Sequence, residues 1–319
     1  MLSWIFLQVL RLRYDIDVKN LDLLKIDKNK GTLFLPNHPA LIDPIIISSL
    51  LFKDFAPRPI ALRALFHVFG VRFILKCVKA FPFPDFDLSS NMWKVRQVEK
   101  VLEEVYKGLK HKEHFLIYPS GRLTMHGSEE IGGNSFVYNL LQKYPSAQIV
   151  LIRTVGLWGS SFSRAQTGKS PIFLDVFKTA GLNLLKNGIF FMPRRKVTVE
   201  FFSPPKDFFK FQPRLDFNRQ LENWYNQFGT DQGRLLKSEP LSLVSWSRFS
   251  EQLPSIKKEG RERTIEDFSI AKEKKEVVIA KLAALAKCNP DQITEKSHLF
   301  RDLGLDSLDL AEIRAFLEG

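Results

Sequence analysis

Cysteine is nearly absent: two residues in 319, Cys77 and Cys288, fall far apart and support neither a disulfide framework nor a metal spacing. Both read as small buried hydrophobes of a reducing compartment. Long apolar runs are missing too. No stretch reaches the roughly 18 uninterrupted apolar residues of a spanning helix. Residues 1–10 are apolar, but no cation precedes them and no small-residue cleavage site follows, so a secretory signal is not supported. Acidic residues are short as well, 35 against 47 Lys and Arg, for a net charge of +12. No helix-turn-helix, zinc or RNP pattern accompanies that charge, which argues against nucleic acid as the partner.

What the chain does have is phenylalanine, 28 residues, within a 45% hydrophobic composition. A basic, Phe-rich surface suits anionic lipid headgroups. The N-terminal segment can lie in a lipid interface with Trp4 and Phe6 inserted and Arg11 and Arg13 at the headgroups, or serve as an ordinary core helix. The expectation is a peripheral or monotopic protein on the cytoplasmic face of an anionic membrane. The charge is unevenly placed: residues 272–319 hold 8 basic and 9 acidic side chains, leaving about +13 for the rest. Two chemically different units are implied.

Hydrophobic periodicity gives the organisation. Residues 13–18, 31–37, 58–62, 115–118, 148–155 and 196–202 read as strands. Residues 41–52, 89–110, 135–144 and 215–228 read as helices, and 64–81 reads as one amphipathic helix studded with cations. Strands alternating with helices argue for an α/β sheet. Periodicity fades over 229–270, a charged linker. Residues 271–319 resume with a helix near 272–287 and a last helix carrying Leu310, Ile313 and Leu317 on one face. The expected domains are thus 1–228, a linker at 229–270, and 271–319.

The chemistry concentrates in two places. Asn37-His38-Pro39-Ala40-Leu41-Ile42-Asp43 closes a strand and opens a helix. A histidine at the strand end and a carboxylate at the helix start can pair, Asp43 fixing the tautomer while His38 removes a proton from an attacking hydroxyl. This is the base half of a serine-protease-type triad with the nucleophile left to the substrate. His-x4-Asp spacing by itself also suits an ordinary turn. The second place is Tyr118-Pro119-Ser120-Gly121-Arg122-Leu123-Thr124, where a glycine after a strand exposes N–H groups and an arginine adds an anion clamp.

Together these residues resemble the glycerolipid (lysophosphatidate-type) acyltransferase family over about residues 20–205. The resemblance implies a mixed sheet flanked by helices, with His38 as general base and Asp43 as its partner. It also implies substrate contacts from Asn37, Arg63, Ser120, Gly121, Arg122 and Arg153. The form Gly121-Arg122-Leu123-Thr124 looks most like the 2-acyl-glycerophosphoethanolamine acyltransferase branch, often fused to an acyl-activating ligase. Ser120 stands where the family usually has glutamate. The implied reaction moves a fatty acyl group from a thioester, acyl-CoA or acyl carrier protein, to a lysophospholipid hydroxyl, without a metal. The alternative is an inactive, lipid-binding acyl-carrier scaffold.

Leu303-Gly304-Leu305-Asp306-Ser307-Leu308-Asp309 resembles the 4'-phosphopantetheine attachment site of carrier proteins, with Ser307 as the modified residue. Asp306 can cap the helix, and a phosphodiester on Ser307 would then meet the positive end of its dipole. A whole carrier has two further helices, so 271–319 is expected to be a partial all-α carrier domain. Its last helix would have only the 272–287 helix to pack against.

Overall fold

A computed structural model describes residues 2–27, 29–68, 70–85, 92–205, 208, 213–227, 272–300 and 302–318. The linker expected over 229–270 lies outside them. Seven strands form one sheet: β1 (Tyr14–Lys19), β2 (Thr32–Pro36), β3 (Arg58–Leu62), β4 (Phe81–Phe83), β5 (His114–Leu116), β6 (Gln148–Val155) and β7 (Arg195–Phe202). Their order is β1-β7-β6-β2-β5-β3-β4, parallel throughout except where β6 meets β7 antiparallel. The central strand β2 is buried along its whole length, as a parallel strand covered on both faces must be.

Side chains alternate across that sheet. Phe34, Val150, Ile152, Val197 and Val199 point to one face. There they meet Leu10 of α1 (Leu2–Arg11) and Ile46, Ile47 and Leu51 of α2 (Asp43–Leu51). Val176, Phe177 and Ala180 of α6 (Phe173–Lys186) cover the same face. Leu33, Leu35, Phe115 and Leu151 point to the other face, onto α4 (Met92–Lys110), α5 (Phe136–Lys143) and α7 (Arg214–Tyr225). Tyr225 fixes α7 to the sheet by donating its hydroxyl to the Leu35 carbonyl at 2.7 Å. The result is the expected mixed sheet flanked by helices.

Several sequence expectations need correction. Residues 64–81 are not one helix. They form a 3-10 turn at Arg63–His67, then α3 (Val71–Cys77), then β4, because Gly70 takes a φ of +79°, outside the helical range. The sequence reading offered nothing for α6. Val176, Phe177 and Ala180 turn to the sheet at three- and four-residue steps, while Leu174, Leu182 and Leu185 are exposed. Cys77 is exposed and Cys288 half-buried, so neither is the enclosed hydrophobe expected.

The C-terminal segment is helical: α8 (Lys272–Ala286) and α9 (Ser307–Glu318). Leu303, Leu305 and Ile313 form a small cluster against Leu282, Leu285 and Ile293. Leu310 and Leu317 are exposed, so the inward face of α9 runs through Ala311 and Ile313. Nor is α8 its only support, since α9 also packs against α4.

Candidate active site

Asn37 follows β2 directly, and its amide spans to the next strand. It donates to the Thr154 carbonyl at 3.1 Å and accepts from the Thr154 N–H at 2.7 Å. Both ends of the amide are thereby spent in a buried position. Asn37, expected from the sequence as a substrate contact, fastens the strand end that carries His38.

His38 and Asp43 meet as the spacing suggested. His38 Nδ1 lies 2.9 Å from Asp43 Oδ2, with the carboxylate fully buried and the imidazole 15% exposed. Asp43 is the first residue of α2, and a carboxylate is favoured at a helix start. The Ala40 N–H donates to Oδ2 at 3.3 Å, and the Tyr118 hydroxyl donates to Oδ1 at 2.6 Å. Tyr118 also lays its ring beside the imidazole, centroids 4.1 Å apart. Burial, and then the neighbouring Asp43 charge, push the Tyr118 hydroxyl well above its ordinary pKa, so it remains a donor. With Nδ1 held by Asp43, Nε2 is the ring nitrogen left to take a proton; no described residue bonds it.

The loop after β5 wraps around this pair. The Thr124 N–H donates to the His38 carbonyl at 2.9 Å. Glu129 Oε2 accepts from the His38 N–H at 3.1 Å and from the Thr124 hydroxyl at 2.8 Å. Burial raises the Glu129 pKa despite these donors, and its second oxygen is buried with no hydrogen bond. Ser120 is buried and turned inward, its hydroxyl 3.0 Å from the Arg122 carbonyl and in reach of Glu129. Sequence reasoning gave Tyr118 no role, although it opens the block singled out, and overlooked Glu129, five residues past the end of that block.

The remaining expected contacts scatter. Gly121 is exposed at the turn, but its N–H is taken by the Tyr118 carbonyl at 3.0 Å. Arg122 is 38% exposed, 3.9 Å from Glu130 and stacked 4.8 Å from the Phe300 ring. Arg63 is exposed, its guanidinium 5.7 Å from the Trp93 ring, and no described contact joins it to His38. Arg153 lies on the opposite face of the sheet from α2. It pairs with Glu200 through Nε at 3.0 Å and stacks on Trp224, so it braces β7 and α7. Ser307 is the first residue of α9, remote from the base in sequence. No cluster of three or more metal-ligating side chains occurs among the described residues.

Residues 15–152 match the sequence profile of the acyltransferase family. Over those residues the chain is similar to acyltransferases. Residues 276–319 match the profile of the phosphopantetheine attachment site, so that region is followed by a carrier-type segment. The chain is similar to the crystal structure of the 1-acyl-sn-glycerophosphate (LPA) acyltransferase PlsC from Thermotoga maritima. The likeness is at 15% identity and a TM-score of 0.40, covering 71% of this chain and 82% of that one. No curated protein sequence matches it.

Ser307 opens α9 in the carrier-type segment. Asp306 Oδ1 accepts from the Leu308 N–H at 2.8 Å and the Asp309 N–H at 3.0 Å, a side-chain cap that sets the serine at the helix start. Those amides are thus answered by Asp306. This is the cap that the sequence reading assigned to Asp306. A phosphopantetheine arm on Ser307 would supply a thiol for acyl thioesters.

Proposed function

We propose that this acyltransferase domain transfers a fatty acyl group from a thioester to the hydroxyl of a lysophospholipid at a membrane surface, with His38 as general base. The observation that carries the reading is the buried Asp43, locked by Tyr118 and the Ala40 N–H, holding His38 Nδ1 at 2.9 Å. His38 Nε2 takes the hydroxyl proton as the acceptor oxygen attacks the thioester carbonyl. The C–S bond breaks, and the proton passes from His38 to the leaving thiol. Asp43 keeps the tautomer that leaves Nε2 free and stabilises the imidazolium. A low-dielectric setting beside Tyr118 strengthens that stabilisation.

The membrane part of the reading rests on apolar exposure. Ile172, Leu174, Leu182, Leu185, Phe190 and Phe191, on α6 and flanking it, are all exposed, with Lys178 and Lys186 among them. An apolar patch with interspersed cations suits an anionic, cytoplasmic-facing lipid surface. No helix among the described residues is long and apolar enough to cross a bilayer; the attachment proposed is peripheral or monotopic. The patch lies near the base. The Leu41 N–H bonds the Phe162 carbonyl at 2.9 Å, and the Phe162 ring packs edge-on against Phe177 of α6 at 5.0 Å. A lysophospholipid held in that surface would present its hydroxyl on the His38 side of the sheet.

The deciding experiment is mass spectrometry of the lipids formed when the protein meets lysolipids of different headgroups with acyl-CoA or an acyl carrier protein, beside His38→Ala. A new diacyl lipid with the wild type and none with His38→Ala supports the reading. Equal product from both proteins refutes the base assignment, and no product from any pair favours a lipid-binding scaffold.

A further inference from the structure

The carrier-type segment is seated on the transferase through contacts that need it there. Ser135 donates its N–H to Asp306 Oδ2 at 3.0 Å, and its hydroxyl bonds the same oxygen. Asp306, the residue before the attachment serine, is buried in consequence. Arg214, at the start of α7, donates to the Gly304 carbonyl at 2.6 Å and to Asp309 Oδ2 at 2.9 Å. Phe300 covers Gly132 and stacks under Arg122. Gly133 makes the tightest approach to the backbone of the carrier segment. A Cβ there would stand 2.2 Å from the Gly304 carbonyl oxygen, although the Gly133 backbone lies outside the left-handed region and is not what demands glycine. The three atoms nearest to that Cβ all belong to the Gly304 backbone, so the carrier segment accounts for glycine at 133.

The transferase side of this seat is the loop that also frames the base. Thr124 and Glu129 bond the His38 main chain, Asn134 Nδ2 donates to the Ser120 carbonyl at 2.6 Å, and Ser135 closes on Asp306. We propose that Gly132, Gly133, Ser135 and Arg214 form a docking site for the chain's own carrier helix, so that the acyl donor is presented in cis from Ser307. This rests on the acyltransferase reading above and specifies its donor. The acceptor oxygen replaces the thioester sulfur on the acyl carbon, and the sulfur leaves as a thiol with the proton His38 removed. Tethering raises the local concentration of the donor beyond that of a free thioester.

The test uses the full chain, as Gly133→Ala, Arg214→Glu, and Arg214→Glu combined with Asp309→Lys. Hydrogen exchange is followed over 131–136 and 303–309, with or without donor. Loss of protection in both segments for Gly133→Ala and Arg214→Glu, and its return in the charge-swapped double variant, is the expected result. Unchanged exchange in Gly133→Ala overturns the docking site. Ser307 is then loaded from acyl-CoA by a phosphopantetheinyl transferase, and single-turnover transfer to a lysophospholipid is compared with transfer from free acyl-CoA. Gly133→Ala should slow transfer from the loaded carrier at least about tenfold and leave the acyl-CoA rate within about twofold. An equal loss with both donors, or faster acyl-CoA transfer on undocking, overturns presentation in cis and makes the contact structural or inhibitory. If the wild type transfers from neither donor, the acyltransferase reading fails and delivery from Ser307 with it, while the exchange experiment still decides the docking.

Discussion

Replacing Tyr118 by Phe removes a single oxygen, yet it should reach the chemistry. That hydroxyl donates at 2.6 Å to a carboxylate that is fully buried, and a hydrogen bond to a charged group contributes about 1.5–3 kcal/mol. Asp43 would remain tied by His38 Nδ1 at 2.9 Å and the Ala40 N–H at 3.3 Å, both on Oδ2, with Oδ1 unanswered. A carboxylate held at one oxygen can swing, and the imidazole swings with it. At about 1.4 kcal/mol per decade, a loss shared between folding and the transition state gives about 1 kcal/mol in stability and, from the remainder, roughly a 2- to 30-fold fall in kcat. The ring packing on His38 survives in Phe, so KM for the lysolipid should hardly move. The assay is steady-state transfer from acyl-CoA to a lysophospholipid, with urea unfolding of the same samples. An unaltered kcat alongside the expected loss of stability would refute the coupling of Tyr118 to the base.

His38→Ala should abolish most transfer, a loss of about 10²–10⁴-fold in kcat, with vesicle binding intact. Asp43→Asn should cost no more than that, because the Tyr118 hydroxyl can reverse and accept from the new amide, leaving its oxygen toward His38; kcat measured on both variants ranks them. Replacing Phe190 and Phe191 with Ser should weaken partition to anionic vesicles on the order of 100-fold, since each exposed ring gains about 1.5 kcal/mol on burial, and co-sedimentation reads it. His114 packs between Phe34 and Phe55, and burial lowers its pKa. A folded-state pKa below the unfolded one of about 6.5 means stability held above that pH and lost as pH falls through the folded value. Thermal melts from pH 7 to 5 should show this slope, and His114→Leu should flatten it.

The base pair was legible because everything it needs is local: a strand end, a five-residue step and a helix start. Strands Arg58–Leu62 and Gln148–Val155 were legible to the residue, since apolar runs between turn signals mark them. What sequence could not carry were partners fixed by pairing across long separations. Asn37 reads as a substrate contact until Thr154 is brought beside it, and Arg153 does so until β7 sets Glu200 opposite. Tyr118 gave no signal of its own, because a buried tyrosine and a surface one have the same letter. The fate of Leu310 and Leu317 turned on the transferase surface, which no periodicity within α9 could report.

The edge strand β1 pairs with β7, Tyr14 opposite Arg195 and Lys19 opposite Glu200, across most of the acyltransferase domain. Such a pairing must pay the entropy of closing a very long loop before it gains any hydrogen bond, so it belongs late in folding. While the chain is being synthesised, β1 and the helix ahead of it wait without their partner strand until β7 has emerged. Over that interval Trp4, Ile5 and Val9, which stay exposed even in the finished protein, stand beside an unpaired strand edge. A nascent chain in that condition is a substrate for chaperones or for an early landing on lipid, and the order of synthesis favours whichever surface reaches it first.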